Sequence, residues 1–404
     1  MAARMREVNV TRFVRLPTKK DLFNLEITAR AARIALRSSA SPPLALQSCP
    51  TDIFLCIVDH YEPQLGRAPR VLAQERVEDW LRRYPQIASA HADAEGRPPA
   101  HSFFYPWDEY DAWELERLAA LCGEGFGEIE IHLHHHDDTD ATVRQKFRDA
   151  VRVYWEQGAL TKWPDGRIAW GFIHGNWALD NSRCEQSRNY CGVNNELDIL
   201  QEEGCYADFT FPAWQHTAQP RQINSIYYAT DDPVRPKSYD TGTRARAGVT
   251  DTPGLLLIPG PLVPFWRKGG KLPRPAMDDS DLAAYRRYDS ARLDRWVRAG
   301  IHVANRPDRI FIKLHCHGAE ERNRHTLLGS DLDALFTDAE ARYNDGKRYR
   351  LHYLTAREMF NVVKATEAGI ADIETSRDWL LPPPAMAHQR QQMRSRIVSS
   401  LAIV

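Results

Sequence analysis

The chain has no Cys-x-x-Cys pair, and its seven cysteines are an odd number. A disulfide framework is therefore disfavoured, and a reducing, cytoplasmic setting fits better. Cys184 and Cys191 flank a polar loop and could meet, although two unpaired thiols are the plainer reading. No apolar run reaches about eighteen residues, so no transmembrane helix is expected. The N-terminus shows no apolar core of a signal peptide. An excess of one charge is missing too. The 53 Lys and Arg against 54 Asp and Glu leave a net charge of −1, which removes the case for nucleic acid or an anionic membrane as partner. No Gly-x-Gly-x-x-Gly or P-loop pattern follows the first apolar run, so nucleotide binding lacks support. A Gly-x-Ser-x-Gly elbow and a His-Glu-x-x-His helix are also missing, against a serine hydrolase or a zincin. There is no internal repeat.

What remains is ordinary globular material: 404 residues, 43% hydrophobic and 26% charged, enough for a large core. Strand-like runs at 52–60, 101–107, 127–134, 167–177, 206–211, 254–262, 309–318 and 349–355 alternate with helical patterns. Those patterns fall at 70–84, 110–122, 142–158, 192–204, 281–300, 331–346 and 356–369. Such alternation predicts a parallel sheet covered by helices, and this many strands favour a closed or nearly closed barrel. Residues 20–36 read as an amphipathic helix packed on the body. Residues 212–253, rich in Pro, Gly, Asp, Thr and Arg, interrupt the rhythm as a long irregular insertion. Its Arg221, Arg235, Lys237, Arg244 and Arg246 could meet an anionic sugar, or simply be solvated. The stretch from Pro382 reads as a loose tail.

The chemistry concentrates in EIEIHLHHHDDT, residues 128–139, which holds four of the fifteen histidines. Imidazole and carboxylate are the ligands that Zn²⁺ and similar divalent ions take. If the chain stays extended, His132, His134 and His136 share the face opposite Ile129, Ile131 and Leu133, and His135 points away. His132 and His136 can then converge on one ion, with His134 not excluded. Other strand ends are polar as well: Asp59, His60 and Glu62; His174, Asn176 and Asp180; Asp208; His315 and His317. In a parallel barrel all of these meet at one mouth. Asp59 could be a ligand or a general base, and Glu62 a surface residue or a support to the site. One of His315 and His317 could donate a proton to a leaving group. Asn176 and Trp177 could bind sugar hydroxyls and a sugar face, and Asp208 could orient a histidine or close a turn.

With these residues together, residues 50–365 resemble the polysaccharide deacetylase (NodB-homology) superfamily, which includes carbohydrate esterase family four. HSFFYPW, a helix and GEIEIHLHHHDDT are similar to the family's strand, helix and paired histidines four apart. IVDHYEP is similar to its first motif of two consecutive aspartates, LQEEGCYADFTF to its fourth, and IKLHCHG to its Leu-His motif. The resemblance implies His132 and His136 as metal ligands with His60 in the place of the second aspartate. It implies Asp59 as the base that activates water and His315 as the general acid. It also departs: His60 replaces an aspartate, and HGNWALDN stands where the family has Arg-x-Pro-Tyr.

The expected fold is α/β, a distorted (β/α)7-type barrel over residues 50–369. It carries the insertion 212–253, an N-terminal helical extension (1–49) and a C-terminal tail (370–404). The expected activity is a metal-dependent hydrolase, with a divalent ion and zinc as first candidate. It would remove acetyl from N-acetylated sugars of a bacterial polysaccharide or its precursor. Asp59 and His315 would be catalytic, His60, His132 and His136 would bind metal, and Asn176, Trp177 and Asp208 would bind the carbohydrate substrate. Two other readings use the same barrel: hydrolysis of a glycosidic or other C–N bond, with Glu62 and Asp208 as the acids, or a non-catalytic glycan-binding protein.

Overall fold

The first strand, Thr51–His60, organises the sheet. Along its whole length it pairs with the late strand Arg309–Cys316. On its other edge, the early half pairs with the last strand, Tyr349–Tyr353, and the final four residues pair with the second strand, His101–Pro106. All three pairings are parallel. The computed structural model describes residues 18–40, 49–185, 188–267 and 273–386. From the second strand the sheet continues in parallel through the third strand (Gly127–Leu133), the fourth (Ile168–His174), the fifth (Cys205–Asp208) and Leu255–Leu257. It ends in antiparallel pairings with Tyr227–Ala229 and Thr243–Arg244.

This large, mostly parallel sheet is strongly curled. Lys313, on the late strand, donates from Nζ to the Phe209 carbonyl at 2.8 Å. Phe209 directly follows the fifth strand, which lies five places from the late strand in the hydrogen-bonded order. In a flat sheet those strands would stand roughly 24 Å apart at the usual strand spacing, far beyond a lysine's reach.

Period-two alternation builds a core on each face. Phe54, Cys56 and Val58 join Phe104, Ile173, Phe209, Leu256 and Phe311 on the concave face. Ile53, Leu55 and Ile57 join Phe103, Ile129, Ile131 and Ile312 under the helices, against Val77, Trp80, Leu115 and Leu118. Each large apolar side chain fully buried this way stabilises the fold by about 1.5–3 kcal/mol. Several helices begin at side-chain caps. Thr139 opens Asp140–Glu156, and Thr355 with Glu358 forms a capping box on Ala356–Glu367; a cap of this kind contributes about 1 kcal/mol.

Polar residues also line the concave face. Glu128 is bidentate with the buried Arg357, and Glu130 accepts from Tyr206 and the Gly171 amide. Burial pushes the Glu130 carboxyl up to about 8, so it is held as the neutral acid at neutral pH.

Several expectations need correction. Residues 281–300 are not one helix. Asp281–Leu282 adds a short parallel strand to the late strand, and the helix is Ser290–Ala299, capped by Asp289. The strand expected at 254–262 stops at Leu257, and the chain continues into the hairpin Val263–Arg267 with Arg274–Asp278. Part of the insertion 212–253 forms the end of the sheet. Three of its five basic residues are engaged by the protein, Arg221 and Lys237 by Asp240 and Arg244 by His302, while Arg235 is 82% exposed. The N-terminal helix, Lys19–Ala40, does pack on the body, through Ile27 and Ala31 against Ile223, Leu262 and Met277. Part of the expected tail also packs, since Arg377 is buried and ion-paired with Asp93; residues from 387 lie outside those described. Among the described residues, no helix is long and apolar enough to cross a membrane.

Candidate metal centre

The C-terminal ends of the first, third and late strands bring His60, Glu62, His132, His134, His315 and His317 into one mouth. The His60 ring centroid lies 5.0 Å from that of His132, 4.5 Å from His317 and 6.5 Å from His315. The first and third strands are separated by the second, so this proximity is a product of the curl.

His132 is the best placed ligand. It is fully buried, and its Nδ1 lies 2.8 Å from the Ile173 carbonyl. A carbonyl only accepts, so Nδ1 carries the proton and Nε2 keeps a lone pair. That Nε2 is buried without a hydrogen-bond partner, 3.8 Å from Glu62 Oε1. A backbone carbonyl fixing the tautomer while the other nitrogen faces a polar cluster is how metal-binding histidines are held. The Nε2 of His60 is likewise buried and unpartnered. Burial, then the neighbouring His317 and His132, hold the His60 pKa well below that of a free imidazole, so it too presents a lone pair.

Glu62 sits at the centre. Its Oε1 lies 2.9 Å from His134 Nε2, and its Oε2 lies 3.1 Å from His317 Nδ1. Burial alone would raise its pKa. The neighbouring His132, with the hydrogen bonds from His134 and His317, outweighs burial and holds the carboxyl well below its ordinary range. One ligand atom each from Glu62, His132 and His134 falls within 4.8 Å of the others, close enough to share one ion. Burial lowers the His134 pKa, but hydrogen bonds to Asp108 and Glu62 overcome this and push it up to about 10. A proton thus occupies the place a cation would take.

His136 is not part of this cluster. The strand ends at Leu133, and Asp137 takes a left-handed φ of 52°. The chain leaves the extended conformation, and the His136 side chain is 55% exposed beside Asp137. The expected pairing of His132 with His136 fails because period-two alternation holds only within the strand. His134 takes the place instead. His135 does point away, toward Asp138 and Glu196.

Asp59 is also elsewhere. It shares the parity of Leu55 and Ile57, under the helices. Its Oδ1 accepts from the Gly318 amide at 2.6 Å, and its Oδ2 pairs with His101 Nε2 at 2.9 Å. It reaches the mouth only indirectly, by anchoring the residue after His317. Asp208 is a turn residue, accepting from both the Thr210 amide and hydroxyl. Burial pushes its pKa up to about 7.

His315 faces the mouth with a buried, unpartnered Nδ1. Burial and the nearby Lys313 hold its pKa well below the usual histidine value. His317 is shifted the opposite way. Burial disfavours its charged form, but Glu62 more than compensates. Asn176 and Trp177 lie half-buried on the turn after the fourth strand, both at left-handed φ, 57° and 54°. A bulky residue there is strained. The Trp177 ring stands 5.8 Å from His216.

Glu62, left open in the sequence between a surface residue and a support to the site, lies at its centre. Two further contributors were not identified in the sequence. Lys313 is buried on the late strand and pushed down to about 7 by desolvation. Asp281 was hidden in an expected helix, but it sits in register with His315 and keeps a buried, unpartnered Oδ1. Compared with known proteins, the chain matches no family model and no curated protein.

Proposed function

We propose that this protein is a metal-dependent hydrolase of the polysaccharide deacetylase kind, built on a distorted (β/α)7-type barrel and acting on an N-acetylated carbohydrate. The observation that carries the reading is the His132 Nε2: buried, unpartnered, its tautomer set by Ile173, beside Glu62 and His134. The barrel reading is supported by the parallel order and by the Lys313–Phe209 hydrogen bond that spans the curl.

The donor set fits a divalent ion. His132, His134 and Glu62 would hold it with His60 adjacent, and nitrogen and oxygen donors suit zinc. When bound, such an ion supplies the Lewis acidity that amide hydrolysis needs. The protein's own groups divide the proton work. His315, held neutral, can take a proton from water, and His317, whose hold on a proton Glu62 strengthens, can give one to the leaving amine. Two groups of one type with pKa values pushed apart make a natural base and acid. Trp177 and Asn176 offer a sugar face and a polar contact at the rim. Asp208 is engaged by the Thr210 amide and hydroxyl, which favours the deacetylase reading over a glycosidase with Asp208 as its second acid.

The test is metal analysis of the purified chain together with acetate and reducing-end release from N-acetylated oligosaccharides. Zinc bound in the wild type and lost in His132→Ala, with acetate but no new reducing ends, is the expected result. Reducing ends without acetate would indicate glycosidic cleavage. A mouth that binds glycan but no divalent ion would leave only the non-catalytic reading.

A further inference from the structure

Behind the mouth lies a second group of metal-ligating side chains. His135, His174, Cys191 and Glu196 come from the end of the third strand, the end of the fourth strand, a loop and a short helix. All four are buried, and one ligand atom from each lies within 4.8 Å of the others. None is shared with the mouth. We propose that these four side chains form a closed, tetrahedral zinc site that pins the turn after the fourth strand, the loop at Cys191 and the start of the short helix to the third strand.

The geometry supports this atom by atom. His135 Nε2 lies 2.9 Å, and His174 Nε2 3.4 Å, from Glu196 Oε1. Cys191 Sγ lies 3.3 Å from Glu196 Oε2. The opposite atom of three ligands is already held. His135 Nδ1 pairs with Asp138 at 3.0 Å, His174 Nδ1 donates to the Gly175 carbonyl, and Glu196 Oε2 accepts from the Asp180 amide at 2.6 Å. Outer hydrogen bonds of this kind fix tautomers and aim ligands at a cation.

An ion network without metal accounts for part of the cluster. A protonated His135 between Asp138 and Glu196 is well paired. That arrangement leaves His174 Nε2 fully buried with no hydrogen-bond partner, a costly state. A cation supplies the missing partner. A thiolate, a carboxylate and two neutral imidazoles neutralise Zn²⁺, and the thiolate disfavours magnesium and calcium. Full burial leaves no open coordination position, so the role is structural.

The backbone around the cluster is built for close approach. Gly192 has φ 117°, and a Cβ there would collide with the Asp138 backbone. A Cβ on Gly175 would collide with the His134 ring. Zinc here would therefore fix the wall of the mouth that carries Asn176 and Trp177, whether or not the mouth is catalytic. Cys191 bears a free thiol, as this requires; the Cys184 side chain lies outside the described residues.

Cobalt substitution of the full chain distinguishes the two sites, because the mouth has only nitrogen and oxygen donors. Cobalt-loaded wild type should show thiolate-to-cobalt charge-transfer absorption in the near ultraviolet. His132→Ala should keep that band and Cys191→Ser should lose it. Zinc content should be about two equivalents per chain in the wild type, one at each site, and about one in either variant. Should Cys191→Ser fail to fold, His174→Asn keeps the thiolate and should shift the band. A cobalt-loaded wild type without the band, a band that survives Cys191→Ser, or one unchanged in His174→Asn overturns the proposal.

Discussion

Replacing Asp59 separates a catalytic base from a buried anchor. The carboxylate is fully buried and accepts two hydrogen bonds, from the Gly318 amide at 2.6 Å and from His101 at 2.9 Å. Asp59→Ala leaves both donors buried without a partner. Each such group costs about 1–3 kcal/mol, so the variant should lose about 2–6 kcal/mol. Asp59→Asn keeps an oxygen for the Gly318 amide. Its amide nitrogen faces His101, whose Nδ1 has no partner, so the imidazole is free to exchange tautomers and accept. The asparagine variant should lose only about 1 kcal/mol, one ordinary hydrogen bond. Urea denaturation followed by tryptophan fluorescence measures both, because Trp80 packs against His101 at 4.6 Å between ring centroids. Activity per folded molecule is the second readout. A general base contributes roughly 10²–10⁴-fold, whereas an anchor's conservative variant should stay within about tenfold of wild type, since one hydrogen bond at most is lost. A folded, metal-loaded Asp59→Asn whose rate falls by a hundredfold or more would refute the anchor reading and return Asp59 to the chemistry.

Zinc binding at the mouth should release protons, because His134 is protonated at neutral pH between Asp108 and Glu62; calorimetry in buffers of different ionisation enthalpy should show heats that scale with the buffer. Glu128→Gln should cost about 1.5–3 kcal/mol, because the buried Arg357 loses its bidentate carboxylate and keeps only Asp378 as an ionic partner, read as a lowered denaturation midpoint. His352 pairs with Asp52 at 3.0 Å and Glu95 at 2.8 Å. Burial opposes its charged form, but those carboxylates raise its pKa above the unfolded value. The stabilisation is therefore fully present below the unfolded pKa, about 6.5, and is lost as pH rises through the folded pKa. His352→Asn should be less stable than wild type at mildly acid pH, and the gap should narrow in alkaline buffer; a gap independent of pH counts against the assignment.

Much of the scaffold was legible because it rests on local chemistry. The runs DIFLCIVDH and GEIEIHL alternate or stay apolar as strands must, and helical periodicity placed the helix that begins at Ala356. The short strand at Asp281 was not legible, since two residues carry no periodicity and only their pairing with the late strand makes them a strand. The site divides the same way. That His60, His132 and His315 belong to one cluster followed from their places at strand ends, which a parallel sheet brings to one side. Which neighbours join them did not follow. His134 replaced His136 because the strand stops at Leu133 and the backbone turns. Asp59 went under the helices because side chains alternate, and its neighbour His60 had already taken the inner face. Residue types and spacing determined that this chain would gather imidazoles and carboxylates at one mouth. The curl of the sheet and the exact end of one strand, set by packing between residues far apart in sequence, decided which of them meet.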